Sequence, residues 1–220
     1  MTDYTAPERH RAALMTFAVQ KDCTMPGSPV GRLSGGRTLG AIGGLVKGFR
    51  ACSAPIVHLV RLYRPDGSNV DVCRRRAVEE GLRVLMPGSL GAELVDQVKP
   101  IEGLRLDGGK LLSGRLQKLG SNEWALYRPR WGAFYNTRLE DHLRALGVST
   151  IVICGSNFST AIRATIYEAS ARDFRVVLVP DAVTGVNDDG LSELARIGVY
   201  LMNADSCVSW LKSPLRSAAA

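Results

Sequence analysis

The stretch from Thr150 to Gly185, TIVICGSNFSTAIRATIYEASARDFRVVLVPDAVTG, limits the chain to a narrow set of folds. A β-branched run at Thr150–Ile153 closes on Gly155, a helical pattern follows, and a second β-branched run occupies Arg175–Val179. Strand, turn, helix and strand in that order make a crossover unit, and its helix is long enough to join two parallel strands. The turn Ser156–Ser159 then falls at the carboxyl end of the first strand, where open α/β sheets bind ligands. The helix that follows offers unpaired N–H groups and a partial positive charge, which suit an oxyanion.

The rest of the chain alternates in the same way. Ala12–Val19, Ile56–Tyr63, Glu123–Arg128 and Val199–Met202 read as strands. Arg37–Ala51, Cys73–Glu80, Ala92–Val98, Leu139–Leu146 and Leu191–Ile197 read as helices, the last two closed by Gly147 and Gly198. Gln20–Val30, with Pro26, Gly27 and Pro29, reads as a loop, and Lys110–Leu119 fits either a helix or a strand. The pattern predicts an α/β fold: a three-layer, doubly wound, mainly parallel sheet with helices on both faces. No linker or repeat divides it, so one domain is expected over residues 1–220, with its core at about 12–207 and a frayed tail from Lys212.

Composition narrows the function classes. Hydrophobic residues make up 45% of the chain, enough for a packed core, yet no apolar run spans a bilayer and the amino terminus lacks a signal-peptide core. A cytoplasmic protein without membrane contact is expected. The five cysteines show no metal or redox spacing and the three histidines are dispersed, so neither a metal nor a cofactor is expected. Net charge is +7, with basic clusters at Arg61–Arg76 and Arg128–Arg138. Without a nucleic-acid motif or interleaved aromatics, these suit a small anionic ligand or a solvated basic face, not nucleic acid.

Three segments, in this order and spacing, resemble the isochorismatase-like cysteine hydrolases: IVHLVRLYRPDGSNVDVCRR (Ile56–Arg76), YRPRWGAF (Tyr127–Phe134), and VICGSNF with RATIYEASARDFRVVLVPDAVTG. The resemblance runs from about Ala12 to Cys207 and implies a Rossmann-like sheet and a homodimer or higher homo-oligomer. It also implies a triad. An aspartate ends the first strand, a lysine precedes a P-R-x-x-A-F motif, and a cysteine stands in the first helical turn after a G-x-N-F-type turn. The carboxylate takes the thiol proton, the lysine holds both groups, and the helix start stabilises thiolate and oxyanion.

Laid on this sequence, those positions fall on Ala18, Arg128 and Ala161. Alanine supplies neither nucleophile nor base, so thiolate attack on an amide cannot run here. Relatives that cleave a vinyl ether keep the aspartate as acid, and Ala18 removes that as well. Asp22, Asn157 and Ser159 are the possible substitutes. Asp22 also reads as a turn-capping loop residue and Ser159 as a helix N-cap. Arg128 either grips an anion bidentately or forms an ion pair with Asp22 or Glu123. With it, Arg61, Tyr63, Trp131, Tyr135, Asn157 and Phe158 form the expected substrate-binding set.

Three functions fit these residues. One is an enzyme repurposed to a non-nucleophilic transformation, such as cyclisation, elimination or isomerisation, of a small polar or anionic metabolite in a biosynthetic pathway. Another is a non-catalytic relative that binds a metabolite or a partner protein. The third is a cysteine hydrolase carrying inactivating substitutions.

Overall fold

The computed structural model describes residues 2–24, 30 and 36–213. Its strands are β1 (Ala12–Phe17), β2 (Ile56–Val60), β3 (Gln117–Gly120), β4 (Glu123–Tyr127), β5 (Thr150–Gly155), β6 (Arg175–Val183) and β7 (Tyr200–Leu201). They form one sheet in the order β3-β4-β2-β1-β5-β6-β7, parallel except for the β3–β4 hairpin. The helices are α1 (Lys21–Thr24), α2 (Gly36–Ala51), α3 (Val72–Glu79), α4 (Gly108–Leu112), α5 (Leu139–Ala145), α6 (Arg163–Ser170), α7 (Asp188–Arg196) and α8 (Ala204–Lys212). The fold is the expected three-layer, mainly parallel α/β sheet.

Strand alternation builds the two cores. Ala12 and Leu14 of β1, with Val152 and Cys154 of β5, face α2 and α8. Ala13, Met15 and Phe17, with Ile151 and Ile153, face α5, α6 and α7. Each strand is thus apolar on both faces, which is why these runs read as unbroken hydrophobic segments. The glycines of α2 have a packing reason. A Cβ on Gly48 would lie 2.7 Å from a methyl of Val208, so α8 packs closely because that side chain is missing.

The structure corrects several boundaries. Helix α8 did not emerge from the pattern, although Ala204, Cys207 and Leu211 form its buried stripe. The segment Ala92–Val98 is not a helix. Two short 3₁₀ turns, Leu90–Ala92 and Asp96–Val98, flank Leu94, which bridges to Gln20. The ambiguous segment Lys110–Leu119 divides between α4 and β3. Residues 25–29 of the expected Gln20–Val30 loop, and 214–220 of the expected frayed tail, lie outside the described residues.

The strand order fixes where a ligand can enter. From β1 the chain moves to β2 and outward, then returns across the sheet to place β5 on the other side of β1. Loops leaving β1 and β5 therefore diverge at their carboxyl ends, which opens a crevice in a doubly wound sheet.

Candidate functional site

A small cavity of about 180 Å³ occupies that crevice. Ala18 and Cys23 reach it from the segment after β1, Arg61 from the end of β2, Arg74 from α3, Arg128 from the end of β4, and Ser156, Asn157, Ser159, Thr160 and Ala161 from the turn after β5. Val30 and Leu85 complete the described wall. Ala18, Arg128 and Ala161, far apart in sequence, therefore line one space. Ala18 is held at φ 51°, a left-handed conformation that alanine adopts at a cost of about 1 kcal/mol. Its N–H donates to the carbonyl of Leu59 at 3.0 Å, which ties the loop to β2.

The two basic clusters of the sequence meet here. Arg61 is 2% exposed and Arg128 4%. Arg61 donates from Nη2 to Asp71 Oδ2 at 2.7 Å and from Nη1 to the carbonyl of Arg128 at 2.5 Å. Asp71 also accepts from the Tyr63 hydroxyl at 3.0 Å, and Arg74 Nη1 lies 3.6 Å from it. Arg128 donates from Nη1 to the carbonyls of Arg130 at 2.9 Å and Trp131 at 3.4 Å. Its Nε is buried with no hydrogen-bond partner among the described residues.

Neither expected ion pair of Arg128 forms. Glu123 is taken by Arg50, at 2.6 Å, and by His58, at 2.7 Å. Asp22 accepts from the N–H of Leu85 at 2.6 Å and is not among the lining residues. Asp22 thus holds a loop, and its place as a substitute acid is corrected. Burial first, and then the neighbouring Arg61 charge, push the Arg128 guanidinium down to about 9.

The turn after β5 differs from a plain helix start. Phe158–Ile162 forms a single π turn before α6, and the carbonyl of Asn157 accepts from the N–H groups of Thr160 at 3.4 Å and Ile162 at 3.3 Å. The Ser156–Asn157 peptide is cis. Asn157 Oδ1 accepts from the hydroxyls of Ser159 at 2.7 Å and Thr160 at 3.2 Å. Ser159 is therefore not an N-cap. Its hydroxyl donates to Asn157, and no histidine or carboxylate among the described residues bonds to it.

Of the expected binding set, Arg61, Arg128 and Asn157 line the cavity. Tyr63 does not, because its hydroxyl belongs to the Asp71–Arg74 cluster. Phe158 is buried in the core beneath Arg163 and does not line it. Trp131 and Tyr135, 44% and 52% exposed, line a separate surface cleft with Val72 and Cys73. Asp71 lines that cleft too, so the Arg61–Asp71 pair stands between the two spaces.

Arg74 and Cys23 escaped the sequence reading. Arg74 sits three residues after Asp71, a spacing that places it on the same side of α3 as that carboxylate. Nothing in the sequence marks Cys23. Burial pushes its thiol up to about 12, so it is protonated at neutral pH. Among the described residues no cluster of histidine, cysteine or carboxylate could hold a metal, and no helix is long and apolar enough to cross a membrane.

Comparison with known proteins agrees with this fold. A family model described as an isochorismatase domain matches residues 108–206. A protein of Arabidopsis thaliana named as a probable inactive nicotinamidase is 26% identical over 87% of this chain and 92% of its own length. A ureidoacrylate amidohydrolase of Methylobacterium radiotolerans is 26% identical over 66% of this chain, and the match spans about half of the relative, 46%. The crystal structure of an isochorismatase family protein from Desulfovibrio vulgaris superposes with a TM-score of 0.76 and 26% identity, covering 92% of this chain and 99% of that one. The comparisons support assigning the chain to the isochorismatase-like hydrolases, whose domain model it matches over residues 108–206 and whose fold it shares, while its cavity holds alanine at positions 18 and 161 and arginine at 128.

Proposed function

We propose that the cavity binds a small anionic metabolite and promotes a transformation that needs positioning and hydrogen bonding in place of a nucleophile. The observation that carries this reading is Arg128, a buried guanidinium without a carboxylate partner among the described residues, lining the space where Ala18 and Ala161 leave room. A buried cation without a counter-ion is costly unless a ligand supplies one. Asn157, with Oδ1 already bonded to two hydroxyls, retains Nδ2 as a donor. Cyclisation, elimination or isomerisation within a biosynthetic route, in the cytoplasm and on a homo-oligomer, fits a family scaffold without its thiolate.

A second reading, a ligand-binding protein without turnover, draws support from the relative named as probably inactive. Incubating the purified protein with a metabolite extract and following its components by mass spectrometry separates the two. Depletion of an anionic component that stops in Arg128→Ala and Asn157→Ala, with the fold intact by circular dichroism, supports the enzyme. Depletion unchanged in both variants overturns the site. Co-purification of an anion without any depletion supports the binding protein.

A further inference from the structure

We infer that the ligand of this cavity presents a carboxylate to the Nε–Nη2 edge of Arg128 and carries a small apolar body against Ala18, Leu85 and Ala161; this rests on the anionic-ligand reading above. Three observations lead there. The first is which guanidinium atoms are free. Nη1 is spent on the carbonyls of Arg130 and Trp131, Nε is buried and unpartnered, and Nη2 makes no hydrogen bond among the described residues. Nε–H and one Nη2–H point the same way along one edge of the planar group. That pair of parallel donors matches the two oxygens of a carboxylate.

The second observation is the local charge. Asp71 compensates Arg61 directly and Arg74 more distantly, while Arg128 has no carboxylate within ion-pair distance among the described residues. The environment therefore calls for added negative charge at Arg128 in particular. The third is the division of the wall. Arginines and Asn157 make one part polar, while Ala18, Leu85 and Ala161 make another apolar. At about 180 Å³ the cavity suits a body of benzoate size better than a nucleotide or a peptide. The two alanines thus do more than delete a mechanism. They widen the space beside Arg128 and leave it free of the negative charge that an aspartate would place there, which would repel a carboxylate ligand.

Titration calorimetry on the full chain with benzoate, benzamide and inorganic phosphate as probes tests this. Benzoate is expected to bind about tenfold or more tightly than its uncharged isostere benzamide. Arg128→Lys, which keeps the charge but loses the paired donors, is expected to weaken benzoate about tenfold, and Arg128→Gln more. Circular dichroism confirms that each variant is folded, and the lysine variant keeps the test open should the glutamine variant unfold. Tighter binding of phosphate than of benzoate overturns the carboxylate assignment while leaving an anionic ligand in place. Equal or tighter binding of benzamide overturns the anionic reading as well. Benzoate affinity unchanged in both folded variants overturns the role of the Arg128 edge, as does the absence of binding by any of the three probes.

Discussion

Arg61 donates a hydrogen bond from Nη1 to the backbone carbonyl of Arg128 at 2.5 Å, so one buried guanidinium positions the segment that carries the other. The two cations are treated differently. Arg61 has Asp71 at 2.7 Å, and Arg128 has backbone carbonyls and a buried Nε with no hydrogen-bond partner among the described residues. On the proposed reading, Arg61 is a positioning residue and Arg128 is the group that meets the ligand. Asp71→Asn leaves Arg61 buried without its counter-ion and is expected to lower stability by about 3 kcal/mol, as breaking a buried pair does. Urea unfolding checks it. A loss below about 1 kcal/mol means that solvent or Arg74 readily replaces the pair.

On the proposed reading, the downward shift of Arg128 gives ligand binding a pH dependence whose sign can be worked out. Burial, reinforced by Arg61, holds Arg128 down to about 9, and only the protonated guanidinium grips an anion. Benzoate affinity is expected to stay level from about pH 6 to 8. It then falls as pH rises through 9, approaching about tenfold per unit until the pKa of the liganded form is reached. Calorimetry at pH 7, 9 and 10 reads this directly. An affinity that is flat across that range means that the guanidinium keeps its proton in the cavity, as arginine ordinarily does.

If Ala18, Arg128 and Ala161 occupy the inherited reactive positions, restoring the side chains should restore an activated thiol. The triple variant Ala18→Asp, Arg128→Lys, Ala161→Cys is expected to be alkylated by iodoacetamide at position 161 at least about tenfold faster than Ala161→Cys alone, because the carboxylate takes the thiol proton as the sulfur attacks while the ammonium holds both groups. Peptide mass mapping separates this site from the exposed Cys52 and Cys73. Equal rates in the two variants mean that the three positions do not cooperate.

The sheet was legible because both faces of β1, β2 and β5 are covered, so their sequences are plain apolar runs. That Ala18, Arg128 and Ala161 would share one space was legible through motifs flanking them. The partners were not. Whether Arg128 meets Glu123, Asp22 or nothing depends on rotamers and strand register, and register gives Glu123 to Arg50 and His58. Trp131 shares a motif with Arg128 but lies in a different cleft, since three residues of loop suffice to carry a side chain out of a small cavity. Helix α8 was missed because its polar face outweighs a stripe of three buried residues.

Register also predicts acid sensitivity away from the site. Glu123, almost fully buried, accepts from Arg50 and His58, and His58 Nδ1 in turn pairs with Thr16 Oγ1 at 2.8 Å. Burial opposes ionisation of Glu123, but the Arg50 and His58 hydrogen bonds outweigh it and hold the carboxyl at about 2. A depressed carboxyl stabilises the fold above its unfolded pKa, and that contribution disappears as pH falls from about 4.5 toward 2. Glu123→Gln is expected to destabilise the protein at pH 7 by about 3 kcal/mol and to flatten this acid limb. Denaturant midpoints at pH 7, 4 and 3 for the two proteins test it. Parallel curves assign the acid limb to other carboxylates.

The cavity exists because β1 and β5 approach closely before their loops part, and Gly155 permits that approach. It has φ 115°, and a Cβ there would lie 2.3 Å from the carbonyl oxygen of Phe17 and 2.6 Å from its nitrogen. Backbone atoms cannot rotate aside as a flexible side chain can, and the Phe17 carbonyl already accepts from the N–H of Ser156 at 2.8 Å. Gly155→Ala must therefore both strain its own backbone and spread the two central strands at the point where Ala18 and Ala161 come together. The expected cost is about 3 kcal/mol or more, with benzoate binding impaired even where the variant still folds. Thermal unfolding and calorimetry on the same sample check both effects. A variant as stable as the parent that binds benzoate normally would mean that the strands can separate at this point without disturbing the arginines.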